Sequence, residues 1–156
     1  MGEVLSEQQL VDAVARERAA GRAIAFANGC FDLLHVGHVR YLQAAAKEGD
    51  RLVVAVNYDL SAAALKGPGR PVIRAADRAE LVAGLRDVDY VVIFSEPTVE
   101  SLLKLVRPDV HCKGTDYTID TVPERAVVQA YGGRTAIVGD AKAHSTRALV
   151  ARLTRG

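Results

Sequence analysis

Apolar positions change their period twice within the first sixty residues. Leu10, Val11, Val14 and Ala15 recur at three- and four-residue spacing up to Gly21, and Ser6 with Gln9 three residues on has the form of a capping box. An amphipathic helix is therefore expected to open the chain. AIAFAN (Ala23 to Asn28) is apolar almost throughout, His38 to Glu48 returns to helical spacing with Gly49 as its stop, and RLVVAVN (Arg51 to Asn57) is again a short apolar run. That alternation predicts a β-α-β unit. YVVIF (Tyr90 to Phe94), DVHCK (Asp109 to Lys113) and RTAIVG (Arg134 to Gly139) are too short for buried helices and add three strands, five in all. Apolar stripes over Ala75 to Arg86, Thr98 to Val106, Glu124 to Tyr131 and Ser145 to Leu153 predict helices between and after them.

Strands that are apolar on both sides belong to a parallel sheet covered by helices on both faces. With right-handed crossovers this gives a doubly wound α/β layer. The expected architecture is one domain over residues 1–156, with an extra N-terminal helix in 1–21 and a core of five parallel strands in 22–156. Ligands of such a sheet bind beyond the carboxyl ends of its strands. KGPGRPVIR (Lys66 to Arg74) mixes Gly, Pro and basic residues and reads as a functional or mobile loop rather than a domain linker.

The 156 residues, 49% hydrophobic and 25% charged, suffice for one well-filled core. Twenty Lys and Arg against 19 Asp and Glu leave a formal charge of +1, which excludes the global basic field of a nucleic-acid or anionic-membrane binder. No apolar run approaches the roughly 20 residues of a bilayer span, and MGEVLSEQQL lacks the features of a signal peptide, so a cytoplasmic protein is expected. Cys30 and Cys112 show no paired or metal-ligand spacing and are expected as free thiols.

Candidate chemistry concentrates where the first core strand meets the next helix, in NGCFDLLHVGHVRYL (Asn28 to Leu42). Asn28, Gly29 and Asp32 favour a turn that aims backbone amides at a ligand, and His35 and His38 bracket Gly37 as the helix begins. Orphan N–H groups, the helix dipole and two imidazoles converge there, an arrangement suited to phosphate and to charge that develops during reaction. A side chain at Gly37 would stand between backbone and ligand. Taken alone, the four positions HxGH read equally well as a polar loop residue and a helix cap; their place between strand and helix favours phosphate chemistry. A P-loop and a dinucleotide fingerprint are both absent, and no Ser/His/Asp or Cys/His set is arranged for a covalent mechanism.

NGCFDLLHVGHVRYLQAA, GDRLVVAVNYD, KGPGRPV, ADRAELVAGLRDVDYVV, RPDVHCKGTDY and HSTRALV together resemble the HxGH nucleotidyltransferase (cytidylyltransferase-like) superfamily, from about Ala23 to the end. Within it the likeness is strongest to the adenylyltransferase domains that make ADP-heptose from D-glycero-β-D-manno-heptose 1-phosphate. In related bifunctional proteins such a domain is fused to a sugar kinase; here it is expected to stand alone. The resemblance implies a Rossmann-like core and direct in-line attack of the sugar phosphate on the α-phosphorus of ATP. Mg2+ would be held mainly by the nucleotide's phosphates, and a homodimer is expected.

By the same resemblance His35, His38 and Lys113 are catalytic candidates. Asn28, Gly29, Cys30, Phe31, Gly37, Ser145, Thr146 and Arg147 are nucleotide-binding candidates, and Asp32, Lys66, Arg70 and Asp116 are candidates for holding the acceptor. Lys66 and Arg70 read equally as a solvated charge run, Asp32 as a turn residue or a magnesium ligand, Cys30 as a packed hydrophobe, and Arg78 as a surface ion pair with Asp77. The family usually has Ser-Thr-Thr at the last helix, where this chain has Arg147 in third place, and TVPERAVV (Thr121 to Val128) follows its pattern loosely. Two rival functions remain: cytidylyl transfer from CTP to glycerol 3-phosphate or a similar phosphorylated alcohol, and a sensor module that binds nucleotide without turnover.

Overall fold

The computed structural model describes residues 2–141 and 146–155, the side chains of residues 146 and 147 excepted. Six strands form one wholly parallel sheet: β1 (Glu3–Leu5), β2 (Ile24–Gly29), β3 (Arg51–Asn57), β4 (Tyr90–Phe94), β5 (Val110–Lys113) and β6 (Arg134–Ile137). The helices are α1 (Glu7–Ala19), α2 (Val36–Ala46), α3 (Asp59–Lys66), α4 (Ala75–Ala83), α5 (Glu100–Val106), α6 (Arg125–Ala130) and α7 (Thr146–Thr154), with a 3-10 turn at Ile119–Thr121. Among the described residues, no helix is long and apolar enough to cross a membrane.

The expected five strands become six. Glu3–Leu5 pairs with Tyr90–Val92 as an edge strand, and three residues, two of them exposed, carry no readable period. Helix α3 was likewise not predicted. Its Leu60 and Leu65 are 78% and 62% exposed while only Ser61 and Ala62 are buried, so no apolar stripe marks it. The opening helix is as expected: Ser6 Oγ accepts from the Gln9 amide and Gln9 Oε1 from the Ser6 amide, and Leu10, Ala13, Val14 and Glu17 face inwards.

Alternation along each strand feeds two cores. Ala25, Ala27, Val54 and Val56 pack under α2 and α4, while Ile24, Phe26, Val53 and Ala55 pack under α1, α5 and α6. Aspartates stitch the amino ends of the strands: Asp50, Asp89 and Asp109 accept from the amides of Ala23, Leu52 and Ile24 at 2.7–2.8 Å. The strand order is β1-β4-β3-β2-β5-β6, so the chain winds outwards from β2 on one side and from β5 on the other. The crevice of this topology opens between the carboxyl ends of β2 and β5.

Candidate active site

The loop from β2 to α2 is bent by two residues in the left-handed region, Phe31 (φ 51°) and Leu33 (φ 56°), each a conformation that disfavours a side chain by about 1–2 kcal/mol. Asp32 between them offsets this. It is 2% exposed and accepts from Arg70 Nε at 2.9 Å and from the amides of Val72 and Ile73 at 2.8 and 2.9 Å. Burial pushes the Asp32 carboxyl up, but those two amides and the Arg70 guanidinium outweigh it and hold the group below the usual carboxylate range. The carboxylate thus clasps the 70–73 segment to the β2–α2 loop. Arg70 and the Val72 amide engage one carboxylate oxygen and the Ile73 amide the other.

His35 is the N-cap of α2. Its Nδ1 accepts from the Gly37 amide at 3.1 Å, and His38 Nδ1 accepts from the His35 amide at 3.2 Å, a capping box made of two histidines. The rings stack at 3.9 Å with 25° between their planes, and Phe31 meets His38 edge-on at 5.4 Å. An Nδ1 that accepts a backbone hydrogen carries none of its own, so each neutral ring bears its proton on Nε2. Both imidazoles are thereby fixed as Nε2–H donors at the first turn of a helix. Gly29 serves the same loop: a Cβ there would stand 3.2 Å from the Phe31 ring.

Arg78, which by sequence reads equally as a surface ion pair with Asp77, is fully buried. It donates to the carbonyls of Cys30 (2.6 Å), Asn57 (2.8 Å) and Ile73 (2.7 Å) and to Asp59 Oδ1 (2.9 Å), tying the carboxyl ends of β2 and β3 to the loop that precedes α4. Asp77 pairs with Arg74 at 3.7 Å on the exposed side. Cys30 and Cys112 are buried free thiols, Cys30 with its Sγ 3.8 Å from Asn57 Oδ1, and burial pushes both pKa values up, that of Cys112 to about 12.

Across the crevice, Lys113 ends β5 almost fully buried, its Nζ 4.6 Å from the centre of the Tyr117 ring. Burial pushes the Lys113 ammonium down, while Glu124 and Asp116 pull it back part of the way. Glu124 is itself buried and its Oε2 has no hydrogen-bond partner among the described residues. Tyr41 of α2 donates to the Cys112 carbonyl at 2.6 Å and locks that helix to β5. Sequence reasoning missed Tyr41 and the buried role of Arg78, whose partners include residues 71 and 48 positions away, and Glu124, which no local motif marks.

The predicted residues therefore gather on one edge. Asn28, Gly29, Phe31, His35, Gly37 and His38 stand at the end of β2 and the start of α2, Lys113 ends β5 with the exposed Asp116 after it, and Arg70 reaches the first group through Asp32. Arg70 Nη2 is buried without a partner among the described residues, and Lys66 is exposed at the end of α3. Ser145 lies outside the described residues; Thr146 and Arg147 open α7, and their side chains lie outside them too. Among the described residues, no group of three or more His, Cys, Asp or Glu is arranged to hold a metal ion.

The family described as Cytidylyltransferase-like matches residues 26–152. The bifunctional protein HldE of Ectopseudomonas mendocina (strain ymp) is 51% identical over 150 residues, covering 96% of this chain and 32% of that protein. The bifunctional protein HldE of Pseudomonas fluorescens (strain Pf0-1) is 49% identical over 152 residues, covering 97% and 32%. The chain thus spans about a third of the length of these curated relatives. The crystal structure of the lipopolysaccharide core biosynthesis protein from Thermoplasma volcanium GSS1 superimposes with a TM-score of 0.69 at 27% identity, covering 78% of this chain and all of that one.

Proposed function

The chain belongs to the cytidylyltransferase-like family of nucleotidyltransferases, and on that footing we propose that it transfers the adenylyl group of ATP to D-glycero-β-D-manno-heptose 1-phosphate in the cytosol. The products are ADP-heptose and pyrophosphate. The observation that carries the reading is the reciprocal histidine cap, which commits both Nδ1 atoms to the backbone and leaves Nε2–H as the donor of each ring at the carboxyl edge of the sheet.

In this account an oxygen of the sugar phosphate attacks the α-phosphorus of ATP in line. The new P–O bond forms as the bond from the α-phosphorus to the α,β-bridging oxygen breaks, and the electron pair leaves with pyrophosphate. His35 and His38 donate through Nε2–H to the non-bridging oxygens of the α-phosphate, where charge crowds in the transition state. Lys113 faces the same centre from β5. Arg70, positioned by Asp32, offers its remaining N–H groups to an anionic oxygen of the donor or acceptor. Held by the nucleotide's phosphates, Mg2+ would supply charge neutralisation for the leaving pyrophosphate. No protein group forms a covalent bond to substrate.

The test is pyrophosphate release with ATP or CTP against heptose 1-phosphate and glycerol 3-phosphate. Turnover with ATP and heptose 1-phosphate, at least tenfold above the other pairs in kcat/KM, is the expected result. Preference for CTP with glycerol 3-phosphate would establish the first rival, and nucleotide binding without turnover for any pair would establish the sensor.

A further inference from the structure

His111 has no part in the mechanism above, yet it lies fully buried on β5 at the switch point of the sheet. Its ring meets Phe26 edge-on at 5.9 Å, and its Nε2 lies 2.8 Å from Oδ1 of Asn28, at the carboxyl end of β2. Its Nδ1 is buried and has no hydrogen-bond partner among the described residues.

That orphan atom decides a polarity. If the Asn28 oxygen faces the ring, His111 donates from Nε2–H and the orphan Nδ1 is a bare lone pair. If the carboxamide is turned over, its NH2 donates to Nε2, the ring proton moves to Nδ1, and a buried N–H is left with nothing to receive it. Buried N–H groups without an acceptor are rarer in folded proteins than under-satisfied acceptors, so the first arrangement prevails. Protonation offers no third choice, because burial and the Lys113 charge push the imidazole down to about 3. With its oxygen held by His111, Asn28 directs its N–H donors away from β5. The register that pairs Ala27 with Cys112 sets Asn28 beside Lys113, and alternation puts both side chains on the same face of the sheet.

We propose that His111 is a positioning residue that fixes the Asn28 carboxamide with its N–H groups towards the crevice, so that beside Lys113 the site selects a hydrogen-bond acceptor of the bound nucleotide. This deepens the nucleotidyltransferase reading and rests on it for the identity of the ligand. The tautomer itself does not rest on it.

Two experiments test the proposal. In 15N–1H correlation spectra of the histidine-labelled chain without ligand, His111 is expected to carry its proton on Nε2 with a bare Nδ1; a proton on Nδ1 overturns the proposal whatever the enzyme does. In kinetics, Asn28→Ala and His111→Phe are each expected to raise KM for ATP about tenfold with a smaller change in kcat, and the double variant to be no worse than Asn28→Ala. His111→Gln, which still offers N–H to the Asn28 oxygen, is expected to recover most of the loss. Asn28→Asp, which turns an anionic oxygen towards the crevice, is expected to raise KM more than Asn28→Ala. Independent, multiplying effects of the two single changes would show that His111 does not act through Asn28. Failure to bind ATP at all would instead overturn the nucleotide reading and leave the spectrum to decide the histidine.

Discussion

Replacing His38 by Asn is expected to lower kcat by two to three orders of magnitude, about 3–4 kcal/mol, with little change in KM or in thermal stability. The asparagine oxygen takes the place of imidazole Nδ1, so it continues to accept from the His35 amide and the helix keeps its cap. What disappears is the Nε2–H donor, whose interaction strengthens as charge gathers on the α-phosphate and so weighs on the transition state more than on the bound substrate. His38→Gln differs in keeping an N–H donor. Its Oε1 reaches back to the His35 amide, as Gln9 does to Ser6 at the same position of α1, and its NH2 stays near the place of Nε2, so it is expected to retain more activity than His38→Asn at similar stability. Parallel measurement of kcat, KM and Tm for the two variants separates the roles, and full activity in His38→Asn would reduce this histidine to a cap.

Arg78→Met is expected to destabilise the fold by about 3–5 kcal/mol, read as a fall in the urea midpoint at unchanged slope. Methionine replaces much of the buried stem but none of the donors, so the carbonyls of Cys30, Asn57 and Ile73 lose a common partner and the Asp59 carboxylate loses its cation. The damage falls on the ends of β2 and β3, and therefore on the loop that carries the histidines. Were Arg78 the surface ion pair its neighbour Asp77 suggests, the cost would stay below about 1 kcal/mol.

The strands were legible because a parallel sheet buries both of their sides, which writes each as an unbroken apolar run such as RLVVAVN. The α1 cap was legible because Ser6 and Gln9 are three residues apart and need no partner elsewhere. Strand β1 and helix α3 were not, the first too short for a period and the second turning Leu60 and Leu65 to solvent. At the site, HxGH stood out as a local motif, yet its two readings turned out to be compatible: Nδ1 serves the backbone while Nε2 carries the donor proton. Asp32, Arg78 and His111 could not be understood locally. Their partners lie 38 to 41, 5 to 48 and 83 residues away, and only the assembled sheet edge reveals that one clasps a loop, one joins two strands and one turns a carboxamide.

The most direct measurement is the crystal structure of this chain with Mg2+ and an ATP analogue that resists cleavage between the α- and β-phosphates. Nε2 of both His35 and His38 should lie within about 2.7–3.2 Å of non-bridging α-phosphate oxygens, with the adenosine lodged between the ends of β2 and β5. A triphosphate bound elsewhere, with the two rings doing no more than capping α2, would contradict the account.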